Sequence, residues 1–297
     1  MQILKKLSNL DAAVLLHEFF PNWFENPCEK ISQKKLLAMY QSAYLDKDKP
    51  SIFNDIGFGL YSQSNEDGIL LYLIGRLGVT NFTLLDIGSA RPFGSNTTNL
   101  IVNFGWEALL IESNKWKCRL SQHFFKKHRY TRSYPPKILH KEVTVSNINE
   151  ILRDNLCSLD LDLLSIDIDG LDYHVWKAIN IVNPKIVVVE FNRVLGPDLC
   201  VAVKHADDFY QTKHDIHFHG ASLSAYEKLG KSKGYDLIGF NQRGYNAFFV
   251  RSDLNQGRFA VANVNDCYEN VLVRKAYSDQ ISAMDLDQLI NLAWLEV

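Results

Sequence analysis

Residues able to do acid–base or metal chemistry gather where apolar runs stop. In the run from Asp162 to His174, Asp167 and Asp169 stand two positions apart, just where a strand-length apolar stretch gives way to Gly170 and a helix-like segment. Strand alternation carried through the pair would send both carboxylates out on one side. A second apolar run, Lys185 to Asn192, has Glu190 near its end, and two earlier runs end in Asp86 and Glu112. In open α/β sheets ligands bind beyond the carboxyl ends of the strands. Four acids at four strand ends therefore read as a site, since a mere scaffold needs no charge there.

The elements that must position them follow from periodicity. Ser62 to Gly68, with polar residues in front and acids in the first turn, opens an apolar helix, Ile69 to Leu77, which Gly78 ends. The first strand, Phe82 to Gly88, runs into the turn Ser89 to Gly94 and a helix begun by Ser95 to Thr98. The second strand, Ala108 to Glu112, ends in an acid 24 positions beyond Gly88 (112 minus 88). Strand, glycine turn, helix, strand and terminal acid make a βαβ nucleotide-binding unit whose acid takes ribose hydroxyls. The glycines do not spell GxGxxG, and Asp86 stands at the strand end. That favours an adenosine ligand without a pyrophosphate over a dinucleotide.

Further along, the patterning predicts a helix over Lys115 to His128, a strand near Lys141 to Val145, a helix over Asn149 to Leu156, the strand Leu163 to Asp167 and a helix over Tyr173 to Ile179. The β-branched run of Lys185 to Asn192 predicts a parallel strand buried on both faces. A loop bearing His205, His214, His217 and His219 leads to a helix from Ser222 to Lys233, and Tyr235 to Phe240 with Tyr245 to Arg251 forms an antiparallel hairpin. Helical patterning fills residues 1–57, with Leu10 to Phe20 and Ile31 to Tyr44 divided at Asn26-Pro27, and returns over 257–297. The domain therefore spans 58–256, and the N-terminal helices serve as a lid, a dimer surface or cover for the sheet.

The 297 residues carry a net charge of −2, which argues against a nucleic-acid or anionic-membrane partner held by overall charge. The basic run Lys126-Lys127-His128-Arg129 reads as a solvated helix end. Five scattered cysteines with no CxxC spacing read as reduced, and no stretch has the length of a membrane span, so a cytoplasmic protein is expected.

Alternating strands and helices with a closing antiparallel hairpin is the order of Rossmann-like class I S-adenosylmethionine-dependent methyltransferases. The blocks LLDIGSARPFGSNT, LLIESN, LLSIDIDGLDYHVWKAI and IVVVEFN resemble the FkbM-like family, and the last two are also similar to metal-dependent macrocin-type sugar methyltransferases. The likeness covers Tyr61 to Arg251, and Ala90 stands where the family pattern has its second glycine. The resemblance implies an O-methyltransferase acting on a sugar or nucleotide-sugar hydroxyl in surface polysaccharide biosynthesis. It implies that Asp86, Gly88, Ser89 and Asn96 surround the methionine and adenosine of the cofactor, that Glu112 takes the ribose, and that Gln63 and Asp67 close the site, unless those two only cap a helix.

Methyl transfer from a sulfonium needs an aligned acceptor and a group to take its proton. A divalent ion, Mg²⁺ or Mn²⁺, would orient a sugar diol and acidify the hydroxyl. Asp167, Glu190 and a loop histidine, His219 before His217, supply suitable ligands. Asp169 is then the general base, with His217 as the second candidate for base or ligand. An NAD-dependent oxidoreductase and a non-catalytic binding domain are the competing readings.

Overall fold

The structure, a computed structural model, describes residues 27–42, 53, 55–88, 91–156, 158–204, 219–281 and 294–297. The chain divides into two compact units, the second beginning at Thr144 and also taking in the short segment Asp46–Asp55. The first holds α1 (Pro27–Ser42), α2 (Glu66–Leu77), β1 (Thr83–Ile87), α3 (Thr98–Phe104), β2 (Glu107–Glu112), α4 (Lys115–Lys127) and β3 (Lys137–His140). The second holds α5 (Ile148–Asn155), β4 (Leu163–Ile166), α6 (Asp172–Ala178), β5 (Ile186–Glu190), β6 (Val201–Val203), α7 (Leu223–Ser232), β7 (Tyr235–Phe240) and β8 (Asn246–Arg251). It continues with α8 (Ser252–Asn255), α9 (Val264–Glu269), α10 (Val271–Ile281) and β9 (Trp294–Glu296).

Seven strands form one sheet in the order β3-β2-β1-β4-β5-β8-β7. β1, β2 and β3 run parallel, as do β4 and β5, while β8 is antiparallel to both β5 and β7. This is the Rossmann-like class I methyltransferase sheet with its closing hairpin. Ile186, Val187, Val188 and Val189 are fully buried, as a β-branched run flanked by strands on both sides requires.

In the first unit, Leu70, Leu73, Leu85 and Ile87 form part of the interior. α2 ends as expected, with Gly78 at φ 64, the left-handed conformation that glycine adopts without a Cβ penalty. Gly68 has no room for a side chain: a Cβ there would lie 2.3 Å from Ile56 O and 2.5 Å from Phe58 N. That contact folds the segment before α2 onto the start of the helix.

Several boundaries differ from the sequence reading. β3 is Lys137–His140, not a strand near Lys141 to Val145. It starts directly after Pro135-Pro136 and places Ile138 and Leu139 opposite Leu110 and Ile111, so the ladder with β2 outweighs the apolar alternation further on. Pro27 occupies the first turn of α1, where its missing N–H costs nothing, so it begins a helix that was read as starting at Ile31. Leu10 to Phe20 lies outside the described residues. The C-terminal region holds the expected helices but also β9, antiparallel to β6, a three-residue strand whose partner lies far away in sequence.

Candidate functional site

Within the first unit three acids come from three elements. Asp86 ends β1 one residue short of its last position and is 0% exposed. Its Oδ2 accepts the Thr97 hydroxyl at 2.6 Å and the Ser95 hydroxyl at 3.2 Å, both from the turn that starts α3. Glu112, the last residue of β2, accepts Asn114 N–H on Oε1 at 2.7 Å and has Lys117 Nζ 3.6 Å from Oε2. Asp67, in the first turn of α2, accepts three backbone N–H groups on one oxygen, from Leu60, Tyr61 and Ser62 at 2.6, 2.8 and 3.1 Å.

These acids are over-buried for their internal partners. Asp67 Oδ1, Asp86 Oδ1 and Glu112 Oε2 are each buried without a hydrogen-bond donor. Burial is the dominant influence on Asp86 and carries it to about 7 in spite of the two hydroxyls, with Glu112 adding to the rise. Burial likewise takes Asp67 to about 6 against three amide bonds, with Glu66 adding slightly. A buried acceptor left unpaired costs on the order of 1–3 kcal/mol, more when charged. Asp86 and Glu112 stand on the two strands of one βαβ unit and Asp67 on the helix before it; Glu112 Oε2 faces the Lys117 ammonium, whereas Asp67 Oδ1 and Asp86 Oδ1 could take a donor or positive charge supplied from outside.

The other expected cofactor residues are placed as follows. Gly88, at φ 95, donates its N–H to Ile111 O at 2.8 Å and turns the chain off β1. Asn96 is buried beside Ser95 and Thr97, and Gln63 is exposed on the segment before α2. Ser89 lies outside the described residues. Asp67 caps the preceding turn with one oxygen, and its other carboxylate oxygen is buried without a hydrogen-bond donor. Ser95 and Thr97 were read only as a helix start; a Ser-x-Thr pair nine to eleven residues after a strand-end acid was the signal.

Within the second unit the acids beyond β4 and β5 meet. Carboxylate oxygens of Asp167, Asp169 and Glu190 all lie within 4.8 Å of one another. Strand alternation does not bring the first two together, because β4 stops at Ile166. The turn does: Asp169 takes φ 56, a conformation Asp tolerates better than most residues. Asp172, buried at the start of α6, holds that turn by accepting Ile168 N–H at 2.8 Å and Gly170 N–H at 2.9 Å. Burial lifts Asp172 to about 6, with Asp169 contributing a smaller rise.

Glu190 is raised well above the usual carboxylate range, first by burial and then by Asp167, Asp172 and Asp169. His219 Nδ1 lies 4.0 Å from Glu190 Oε2, and its backbone oxygen accepts from Asn192 Nδ2 at 3.1 Å. Fully buried Tyr226, on α7, has a hydroxyl with no partner and feels the charges of Asp172, Glu190 and Asp167. Nothing in a single sequence singles out Tyr226 from other helix tyrosines. His217 lies outside the described residues. Asp169 thus stands with Asp167 and Glu190 as a third carboxylate and is the most exposed of the three.

No family model matches the chain, and no curated protein matches it. Among solved structures, an O-methyltransferase from Streptomyces achromogenes involved in tomaymycin synthesis, in complex with SAM, is 16% identical. The match covers 82% of this chain and 97% of that one at a TM-score of 0.39. An O-methyltransferase from Bacillus cereus in complex with SAH is 9% identical over 81% and 97% of the two chains, at 0.37. The magnesium protoporphyrin IX methyltransferase from Synechocystis with bound SAM is 10% identical over 74% and 97%, at 0.39. The fold assignment rests on this chain's own strand order and register.

Proposed function

We propose that the chain is an S-adenosylmethionine-dependent O-methyltransferase acting on a sugar or nucleotide-sugar hydroxyl in surface polysaccharide biosynthesis. The observation that supports the cofactor half is the set of buried carboxylate oxygens without a hydrogen-bond donor at Asp67, Asp86 and Glu112, the last with only the Lys117 ammonium 3.6 Å away. A ribose diol and an amino-acid ammonium are the donors such oxygens require. S-adenosylmethionine, when bound, supplies an electrophilic methyl group on a sulfonium. Glu112 holds the ribose, and Asp86, already gripped by Ser95 and Thr97, presents its free oxygen to positive charge, as does Asp67. We assign Gly88, Asn96 and Gln63 to the same cofactor site.

For the acceptor, the carboxylates of the second unit supply the chemistry. Asp167 and Glu190, with His219 nearby, offer hard ligands to Mg²⁺ or Mn²⁺. Glu190 is costly to ionise among its acidic neighbours, and a cation removes that cost. Asp169, the exposed member, takes the acceptor proton, and Asp172 positions it by fixing the turn.

Thermal melts of the full chain with S-adenosylmethionine, S-adenosylhomocysteine and NAD test the cofactor. At about a hundredfold excess over Kd a true ligand adds roughly 2.7 kcal/mol of stability, so the adenosylmethionine pair should raise the melting temperature and NAD should not. The reverse result installs the oxidoreductase reading. Incubation with sugar and nucleotide-sugar acceptors, followed by mass spectrometry for one added methylene, tests the substrate class.

A further inference from the structure

The net charge of −2 conceals an uneven distribution. Between Glu112 and Glu142 the sequence has nine Lys and Arg residues and no Asp or Glu. In the structure that stretch is α4, the turn after it and β3, the outermost strand of the sheet. These elements lie together: His140 Nε2 is 2.9 Å from Ser113 O, and Lys141 N donates to Glu112 O at 3.0 Å. Lys115, Arg119, Lys126, Lys127 and Arg132 are exposed, whereas Lys117 leans inward onto Glu112.

The basic face extends to α1 of the same unit. Lys30 Nζ lies 3.5 Å from the centre of the Tyr130 ring, and the Arg129 guanidinium 4.8 Å from it. Burial, then Lys34 and Arg129, weaken the hold of Lys30 on its proton, so cations are crowded here against their own repulsion. Large apolar side chains stand exposed within the same stretches: Trp116 at 51%, Tyr134 at 91% and Ile31 at 53%.

A surface with this charge calls for a polyanion, and the placement of the rings says which kind. Single-stranded nucleic acid is held in a groove whose aromatic platforms stack successive bases. Trp116 and Tyr134 are instead exposed singly and apart in sequence, one in the first turn of a helix and the other in the connecting turn after it. An anionic bilayer asks only for cations near its plane and amphipathic rings at headgroup depth. We infer that α4, the turn after it and the basic face of α1 dock on an anionic phospholipid surface, with Trp116 and Tyr134 entering the headgroup layer. The contact is peripheral; no helix among the described residues is long and apolar enough to cross a membrane.

Vesicle flotation of the full chain tests this, with phosphatidylcholine alone and with phosphatidylglycerol added, at low salt and at about 0.5 M, where screening confines charge effects to a few ångströms. Binding is expected on the anionic vesicles alone and is expected to vanish at high salt. Each cation near such a surface contributes about fivefold, so the triple variant Arg119→Glu, Lys126→Glu, Lys127→Glu should lose at least about a hundredfold, with an unchanged circular dichroism spectrum. Trp116→Ser with Tyr134→Ser should weaken binding several-fold while leaving its salt dependence intact. Equal binding to neutral vesicles, binding to neither, or undiminished binding by the folded triple variant overturns the inference. So does single-stranded RNA that binds more tightly than the vesicles and strips the protein from them. Should the triple variant fail to fold, the lipid-charge and salt dependence of the unaltered chain decides alone.

Discussion

Asp86→Asn separates the charge of the strand-end carboxylate from its shape. Asp86 is fully buried, and its pKa lies at about 7 instead of 3.8. That difference is roughly 4 kcal/mol of preference for the neutral form. The sign follows from proton counting. Between 3.8 and about 7 the folded chain keeps a proton that the unfolded chain has released. The contribution of this group to stability is therefore most favourable below the ordinary pKa, falls as pH rises through the window, and levels off above about 7. From pH 5 to pH 8 the loss amounts to roughly 3 kcal/mol, which in a chain of this size is on the order of several degrees of melting temperature. An amide does not titrate and keeps an acceptor for Thr97. The ligand-free variant should gain on the unaltered chain from pH 5 to about pH 7 and hold that gain to pH 8.

Ligand binding should show the opposite slope. A cationic ligand prefers ionised Asp86, so below about pH 7 its affinity should fall about tenfold per pH unit, with one proton released on binding. Asp67, at about 6, adds a second such dependence at lower pH. Calorimetric titration with S-adenosylhomocysteine from pH 5.5 to 8.5, in buffers of different ionisation enthalpy, measures affinity and proton release together. In the Asn variant the dependence between pH 6 and 7 should disappear and the affinity should drop. A flat affinity in the unaltered chain, or a stability gap that does not change with pH, refutes the assignment of Asp86 as a buried acid awaiting a cation.

Glu112→Gln should weaken cofactor binding about 10- to 100-fold, the worth of one charge-assisted hydrogen bond, with the ligand-free melting temperature nearly unchanged; unaltered affinity by calorimetry would remove Glu112 from the ribose. Asp169→Asn should abolish methyl transfer while leaving cofactor affinity intact, and Mn²⁺ titration followed by electron paramagnetic resonance then assigns its part: retained ion binding marks a base, lost binding a ligand, and retained turnover neither. Chelation with EDTA should stop turnover and Mg²⁺ or Mn²⁺ should restore it; an unchanged rate after thorough chelation dismisses the ion. Gly68→Ala should destabilise by about 1–3 kcal/mol in chemical denaturation, because its Cβ would press on the backbone of Ile56 and Phe58.

The sheet was legible because its strands are short apolar runs closed by acids and glycines, and local signals of that kind survive into the fold. Glu112 at the end of β2 is the clearest instance: strand period and the distance from Gly88 place it without tertiary knowledge. β3 was misplaced because an edge strand of four residues has almost no pattern of its own; its position is decided by pairing with Leu110 and Ile111. β9 was missed for the same reason, since Trp294–Glu296 acquires strand geometry only through Val201–Val203.

The acid group beyond β4 was found by an argument whose premise failed. Alternation would have aligned Asp167 with Asp169 on a continuing strand, yet the strand ends first, and a left-handed Asp169 restores the convergence. What makes that conformation persist is Asp172, which spends both carboxylate oxygens on the amides of Ile168 and Gly170. A non-glycine residue in that region costs on the order of 1 kcal/mol or more, and two buried bonds to a carboxylate outweigh it. Asp172, which the structure makes the first residue of α6, is thus the one that aims the acid proposed to react. Replacing Asp172 by Ala should therefore disperse the Asp167, Asp169 and Glu190 group and lower ion affinity, although Asp172 itself is not one of its ligands.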